Sequence, residues 1–268
     1  MELTGLKKHS HKEREKIIKD VSQRFRRKFG KNLKAIAIQG SFVRGEDSDY
    51  SDIELIVFVK KKPKKDVDFI RIKDGIKVEA LYMEEQEYIQ ETLEVTREWP
   101  YSGADKLKAV INPKLIAKLN KFKPKNRKER CWKLAAQKFK CETQENYGKL
   151  FNAIISKNRD AIPLLFFETL KSTLEVLSFL NETPFLTYSK CVQTAKKFRI
   201  KPDGLHELLR ISRRGNYRDL KKLSNVCAKI YNDLNKLFEN RGFELYDDNI
   251  DPLEKNKIVK NGKPIVLE

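Results

Sequence analysis

The stretch Ala35–Val59, AIAIQGSFVRGEDSDYSDIELIVFV, constrains this chain more than any other. Its first apolar run, Ala35–Gln39, suits a short buried strand, and Gly40-Ser41 breaks that strand at its C-terminal end. Gly40 lets the backbone approach a bulky group and Ser41 offers a hydroxyl. A polar loop comes next, then a second β-branched run from Ile53 to Val59. Side chains alternate across a strand, so Asp52 and Glu54 point to one side of it. Two adjacent carboxylates repel unless a cation lies between them, and an all-oxygen donor set suits Mg²⁺. With Ser41 and Arg44 nearby, the strand ends offer a site for a metal-bound triphosphate. An isolated D-x-E is ordinarily a solvated hairpin edge. The whole string between two strands is far harder to explain that way.

The string resembles the signature of the nucleotidyltransferase (polymerase-β-like) superfamily: Gly-Ser, about ten residues, then Asp-x-Asp/Glu. Within that superfamily it is most similar to the kanamycin nucleotidyltransferases, which modify aminoglycosides. The likeness continues through Lys34-Ala35-Ile36, Tyr50-Ser51-Asp52-Ile53-Glu54, Lys77-Val78-Glu79, Glu98-Trp99-Pro100 and Glu145-Asn146-Tyr147-Gly148-Lys149, and spans roughly residues 13–245. It implies Asp52, Glu54 and Glu79 as ligands of one or two Mg²⁺ ions. It implies Gly40, Ser41, Arg44, Ser51 and Lys149 as the nucleotide-binding set and Glu145 as the catalytic base. It further implies a nucleoside triphosphate donor (ATP by default), a hydroxyl-bearing acceptor, pyrophosphate release and a homodimer. The kanamycin enzymes carry a further acid one turn before the base, where Cys141 stands here. Glu142 is adjacent but points about 100° away on an α-helix.

Charge bears on the acceptor. The 57 Lys and Arg against 38 Asp and Glu leave a net charge of +19, which attracts polyanions and repels a polycationic aminoglycoside at long range. RNA is therefore an alternative acceptor, served by basic segments 60–65, 118–130 and 195–201. A protein hydroxyl in a toxin–antitoxin setting and a catalytically silent nucleic-acid-binding relative are further alternatives. The N-terminus lacks the apolar core of a signal peptide and no run approaches a membrane span, so a cytoplasmic protein is expected. The four cysteines are widely spaced without a C-x-x-C, which disfavours zinc and disulfides.

The fold class expected is α+β: an N-terminal nucleotidyltransferase domain with a mixed sheet and flanking helices (1–124), then a helical bundle (125–250) and a tail with a possible hairpin (251–268). Residues 12–29 place Ile17, Ile18, Val21, Phe25 and Phe29 on one helical stripe, closed by Gly30. His9 and His11 read as solvent-exposed. Lys60–Lys65 predicts a charged loop. A strand pair turns at Lys73-Asp74-Gly75, with Ile76, Val78, Ala80 and Tyr82 on the apolar side and Glu79 opposite. After it come a helix over 84–97, a strand over 107–111 and a helix from Pro113 to about Leu119. Helices are then predicted over 129–158, 160–180, 187–199, 203–213 and 218–241. Phe166, Phe167, Leu170, Leu174, Leu177 and Leu180 are assigned to bundle core, and Glu145 and Lys149 share a helix face. Lys260-Asn261-Gly262-Lys263 predicts a hairpin turn.

Overall fold

The computed structural model describes residues 3–63, 68–102, 106–185, 187–246 and 257–266. The fold is α+β, a mixed sheet with helices and then a helical region. It divides into two compact units, Met1–Val95 with Ala104–Lys125, and Thr96–Gly103 with Asn126–Glu268.

The first unit opens with helix α1 (His11–Phe29). Its start is set by a capping box in which Ser10 and Glu13 satisfy each other's backbone N–H groups. Gly30, at φ 48°, ends it. Ile17, Ile18, Val21 and Phe25 are buried against the sheet, as their spacing predicts. The strands are β1 (Leu33–Gln39), β2 (Ile53–Val59), β3 (Asp68–Lys73) and β4 (Ile76–Glu84). Helix α2 (Glu85–Leu93) comes after them, and the single turn α3 (Trp99–Ser102) belongs to the second unit. Strand β5 (Lys108–Ile111) and helix α4 (Pro113–Leu119) complete the first unit. The strand order is β3-β4-β2-β1-β5, with β2 parallel to β4 and every other pair antiparallel. One face of the sheet, including Ile53, Leu55, Val57, Val78, Ala80 and Tyr82, packs with the α1 stripe. Ala35, Ala37, Ile56, Phe58 and Met83 form the other core with Ile116 and Leu119 of α4.

The second unit contains α5 (Arg127–Lys138), a π-helical turn (Phe139–Thr143), α6 (Gln144–Ile155), α7 (Ala161–Leu180), α8 (Cys191–Lys196), α9 (Leu205–Arg214) and α10 (Leu220–Glu239). A small antiparallel sheet closes it: β6 (Phe243–Glu244), β7 (Lys257–Lys260) and β8 (Lys263–Val266). Asn261 and Gly262 both adopt positive φ, 49° and 73°, the two-residue hairpin that the Asn-Gly pair predicts. Strand β6 carries no periodicity that would announce it. It is two residues long and its pairing partner lies seventeen positions away, Phe243 opposite Lys260.

Several boundaries differ from expectation. Helix α2 stops at Leu93 because Glu94 turns extended and the Leu93 carbonyl accepts the Lys125 N–H instead of a helical donor. The helix expected over 129–158 is interrupted by the π turn. The one expected over 187–199 shrinks to a 3₁₀ turn (Tyr188–Lys190) and α8. There the Asn181 side chain accepts from the N–H groups of Arg199 and Ile200, holding that backbone outside the helix. Phe166, Leu170, Leu174, Leu177 and Leu180 are core, but Phe167 is 48% exposed. It lies one position round from Phe166 on a narrower apolar face than predicted. His9 is half-buried, with Nε2 against the Asp74 carbonyl, so only His11 stays on the surface. The predicted loop Lys60–Lys65 and the tail lie partly outside the described residues.

Candidate active site

The β1–β2 connection is where the sheet presents its polar chemistry. Glu54 pairs in register with Gln39 on β1 and with Glu79 on β4. In a parallel pair, residues in register stand side by side on one face, so Glu54 and Glu79 are neighbours. Asp52, just before β2, falls on the same side by the period of two. All three are partly exposed. Gly40 lies beneath Glu54 at φ 78°, and any Cβ there would overlap the Glu54 carboxylate. Glycine is thus required twice, for the left-handed backbone and for the close approach. Gly40→Ala is expected to cost roughly 1–2 kcal/mol of stability and to displace Glu54, lowering nucleotidyl transfer at least about tenfold. Thermal melts beside a labelled-ATP transfer assay check both.

What neutralises these carboxylates in the fold is Lys77, two residues before Glu79 and ion-paired to it. The ammonium is held charged above its ordinary range, chiefly by the bond to Glu79, with Asp52 and Glu54 adding attraction through space. Glu54 and Glu79 stand side by side with Asp52 at the strand end, and their oxygen-only donor set fits a hard divalent cation. Among the described residues no three His, Cys, Asp or Glu side chains are already gathered at bonding distance around one point. Glu79 is turned toward Lys77, and a metal would have to displace that ammonium.

The loop that carries Ser41, Arg44 and Ser51 is tied down internally. The Glu46 N–H donates to the Ser41 carbonyl, Arg44 Nε lies 3.2 Å from Glu46 Oε2, and the Ser51 hydroxyl accepts from the Ser48 N–H at 2.9 Å. Arg14 anchors the whole loop. This arginine of α1 is fully buried and donates to the carbonyls of His9, Ser48 and Ser51 and to the Asp47 carboxylate. His11 stacks on Phe42 at 4.1 Å and reaches Asp47 through Nδ1 at 2.7 Å. Neither Arg14 nor Asp47 was among the sequence candidates. A signal existed: positions 14, 18, 21 and 25 share one face of α1, so an arginine stood on the apolar stripe.

In the second unit, Glu145 and Lys149 on α6 form an exposed ion pair at 2.7 Å, as their four-residue spacing predicts. One turn earlier the expected geometry fails. Residues 139–143 are π-helical, so one extra residue occupies the turn and the 100° separation of Glu142 no longer applies. Glu142 pairs with Lys138 at 2.5 Å, and Lys138 also contacts the buried Glu175 at 2.5 Å. Cys141 is exposed.

A strand-borne acid set beside a Gly-Ser turn, on a mixed sheet with a helical unit later in the chain, is the arrangement that the nucleotidyltransferase resemblance implies. Residues 14–132 match the nucleotidyltransferase domain model and residues 118–244 match the KNTase C-terminal domain model. Together the two matches span residues 14–244, and the chain is a nucleotidyltransferase related to the kanamycin-type enzymes.

The chain is similar to several individual proteins. Over 246 residues the chain is 22% identical to an aminoglycoside nucleotidyltransferase (4') of Bacillus sp., covering 87% of this chain and 93% of that protein. Over 66 residues it is 35% identical to a putative protein adenylyltransferase of Methanocaldococcus jannaschii, a match to 25% of this chain and 45% of that protein. A crystal structure of a nucleotidyltransferase-like protein from Exiguobacterium sibiricum superposes with a TM-score of 0.47 at 10% identity, covering 84% of this chain and 75% of that one. Among the described residues no helix is long and apolar enough to cross a membrane.

Proposed function

We propose that the protein transfers AMP from ATP to a hydroxyl of a small-molecule, aminoglycoside-like acceptor and releases pyrophosphate. The observation that carries this reading is the in-register pairing of Glu54 with Glu79, with Asp52 at the strand end and Gly40 directly against the Glu54 carboxylate. Asp52, Glu54 and Glu79 are the residues to hold Mg²⁺, one or two ions, which would supply Lewis-acid stabilisation of charge on the phosphoryl oxygens and the leaving pyrophosphate. The Gly40 backbone with Ser41, Arg44, Ser51 and Lys149 binds the triphosphate. Glu145 accepts the proton of the acceptor hydroxyl. The acceptor oxygen bonds to the α-phosphorus as the bond to the pyrophosphate oxygen breaks in line. The functional form in this reading is a cytoplasmic homodimer, as in the kanamycin-type resemblance.

A second acceptor, RNA, is favoured by one specific observation, the net charge of +19. Incubation with α-labelled ATP and Mg²⁺ in the presence of aminoglycosides, RNA or protein separates the acceptors. Label on the aminoglycoside pool supports the proposal; label on RNA or protein alone overturns its acceptor.

Cysteine chemistry offers a probe of the α6 side. Burial pushes the Cys131 and Cys227 thiols up to about 12 and Cys191 up to about 11, whereas Cys141 is exposed. A disulfide reagent is expected to titrate one thiol rapidly in the native protein and the other three only in denaturant. Alkylation at Cys141, one turn before Glu145, is expected to slow transfer several-fold while ATP binding, measured by calorimetry, is retained.

A further inference from the structure

The second unit contains a pocket that none of the proposed transfer residues line. Its volume is about 430 Å³, and its walls come from the start of α5 (Asn126–Glu129), Trp132, Arg241, Phe243 and Lys260. Four of these residues, Arg127, Lys128, Arg241 and Lys260, are cationic. Among the described residues, Arg127 is engaged with Glu182, while no carboxylate pairs with Lys128, Arg241 or Lys260. The acidic residue of the wall, Glu129, is paired with Lys133 at 3.2 Å. Positive charge gathered without counter-charge is electrostatically costly, and it persists where an anion is taken up.

The local structure also holds the cations in place. Trp132 and Phe243 stack with their rings 16° from parallel. The Arg241 guanidinium lies 4.9 Å from the Trp132 ring centre and the Lys260 ammonium 5.0 Å from that of Phe243. Lys260 is placed there by the β6–β7 pairing, directly opposite Phe243. The Asn126 side chain makes no capping bond, so the first-turn N–H groups of α5 and the positive end of its dipole add to the same wall. Both aromatic rings are buried, at 5% and 2% exposure, and offer no open face for a base or sugar to stack on. The pocket's chemistry is that of a phosphate group and nothing more selective.

We propose that this pocket binds a phosphate group, supplied either by a nucleic-acid backbone or by free phosphate or pyrophosphate, and that Arg241, Lys260 and Lys128 are its ligands. The test titrates the full-length protein with a fluorescein-labelled single-stranded RNA of mixed sequence by anisotropy over a salt series, and separately with inorganic phosphate and pyrophosphate by calorimetry. R241Q/K260Q is compared with R213Q/R214Q, which removes the same charge from exposed positions at the end of α9. The expected result in the RNA arm is an affinity about tenfold weaker for R241Q/K260Q than for the control, with the slope of log affinity against log salt smaller by roughly 1.4 for two lost contacts. K128Q, at an exposed position where no carboxylate among the described residues pairs with the lysine, is expected to weaken binding about threefold with an unchanged melting temperature. A backbone source shows this difference with RNA alone, and a free-anion source shows it with phosphate or pyrophosphate. Indistinguishable binding by R241Q/K260Q and R213Q/R214Q in both arms would overturn the proposal.

Discussion

Asp52→Asn is expected to lower nucleotidyl transfer on the order of 10³-fold, the scale at which one preorganised electrostatic contact to a transition state counts. The substitution is isosteric and the side chain is partly exposed, so the loss does not come from the fold. What changes is the charge of the acid set. With one carboxylate neutral, Glu54 and Glu79 remain beside Lys77, and a divalent ion would have to displace that ammonium with a weaker anionic field. The variant should therefore melt like the native protein while its Mn²⁺ affinity, read by electron paramagnetic resonance, falls at least about tenfold. Native turnover by the Asn variant would remove Asp52 from the chemistry.

The largest effect on stability is expected at Arg14. Its guanidinium, 1% exposed, is bonded to three carbonyls and to Asp47, itself 3% exposed. Arg14→Met leaves the Asp47 charge buried with only His11 beside it, and such broken pairs cost about 3–5 kcal/mol. For a chain of this size that corresponds to a fall in melting temperature of roughly 6–20 °C. Arg14→Met with Asp47→Leu should recover part of the loss, because the uncompensated charge is gone. Activity of the single variant should fall by more than its folded fraction explains, since the Ser51 carbonyl that Arg14 holds lies one residue before Asp52. A melting temperature within a degree or two of native would show that Arg14 anchors nothing.

Much of this was legible because local sequence and tertiary demand agree. The runs Ala35–Gln39 and Ile53–Val59 are strands, Ile17, Ile18, Val21 and Phe25 of the α1 stripe are buried, and the Asn-Gly turn joins two paired strands. The in-register pairing of Glu54 with Glu79 was beyond reach of spacing, because it depends on β4 crossing over to run parallel to β2. Lys77 reads in the sequence only as a neighbour of Glu79 on one strand face, because the attraction of Asp52 and Glu54 reaches it only through that crossover. The π turn escaped as well. An α-helical wheel assumes a constant angle per residue, and one inserted residue re-aims the side chains beyond Lys138.

The sequence by itself determined the class of chemistry through the signature it resembles, a Gly-Ser turn followed by Asp52 and Glu54, which are local features displayed together at one strand end. Tertiary structure alone decided which arginine holds the loop and that Arg241 and Lys260 line one pocket. Each of those depends on contacts between residues far apart in the chain, and long-range pairing comes from packing and register rather than from local periodicity.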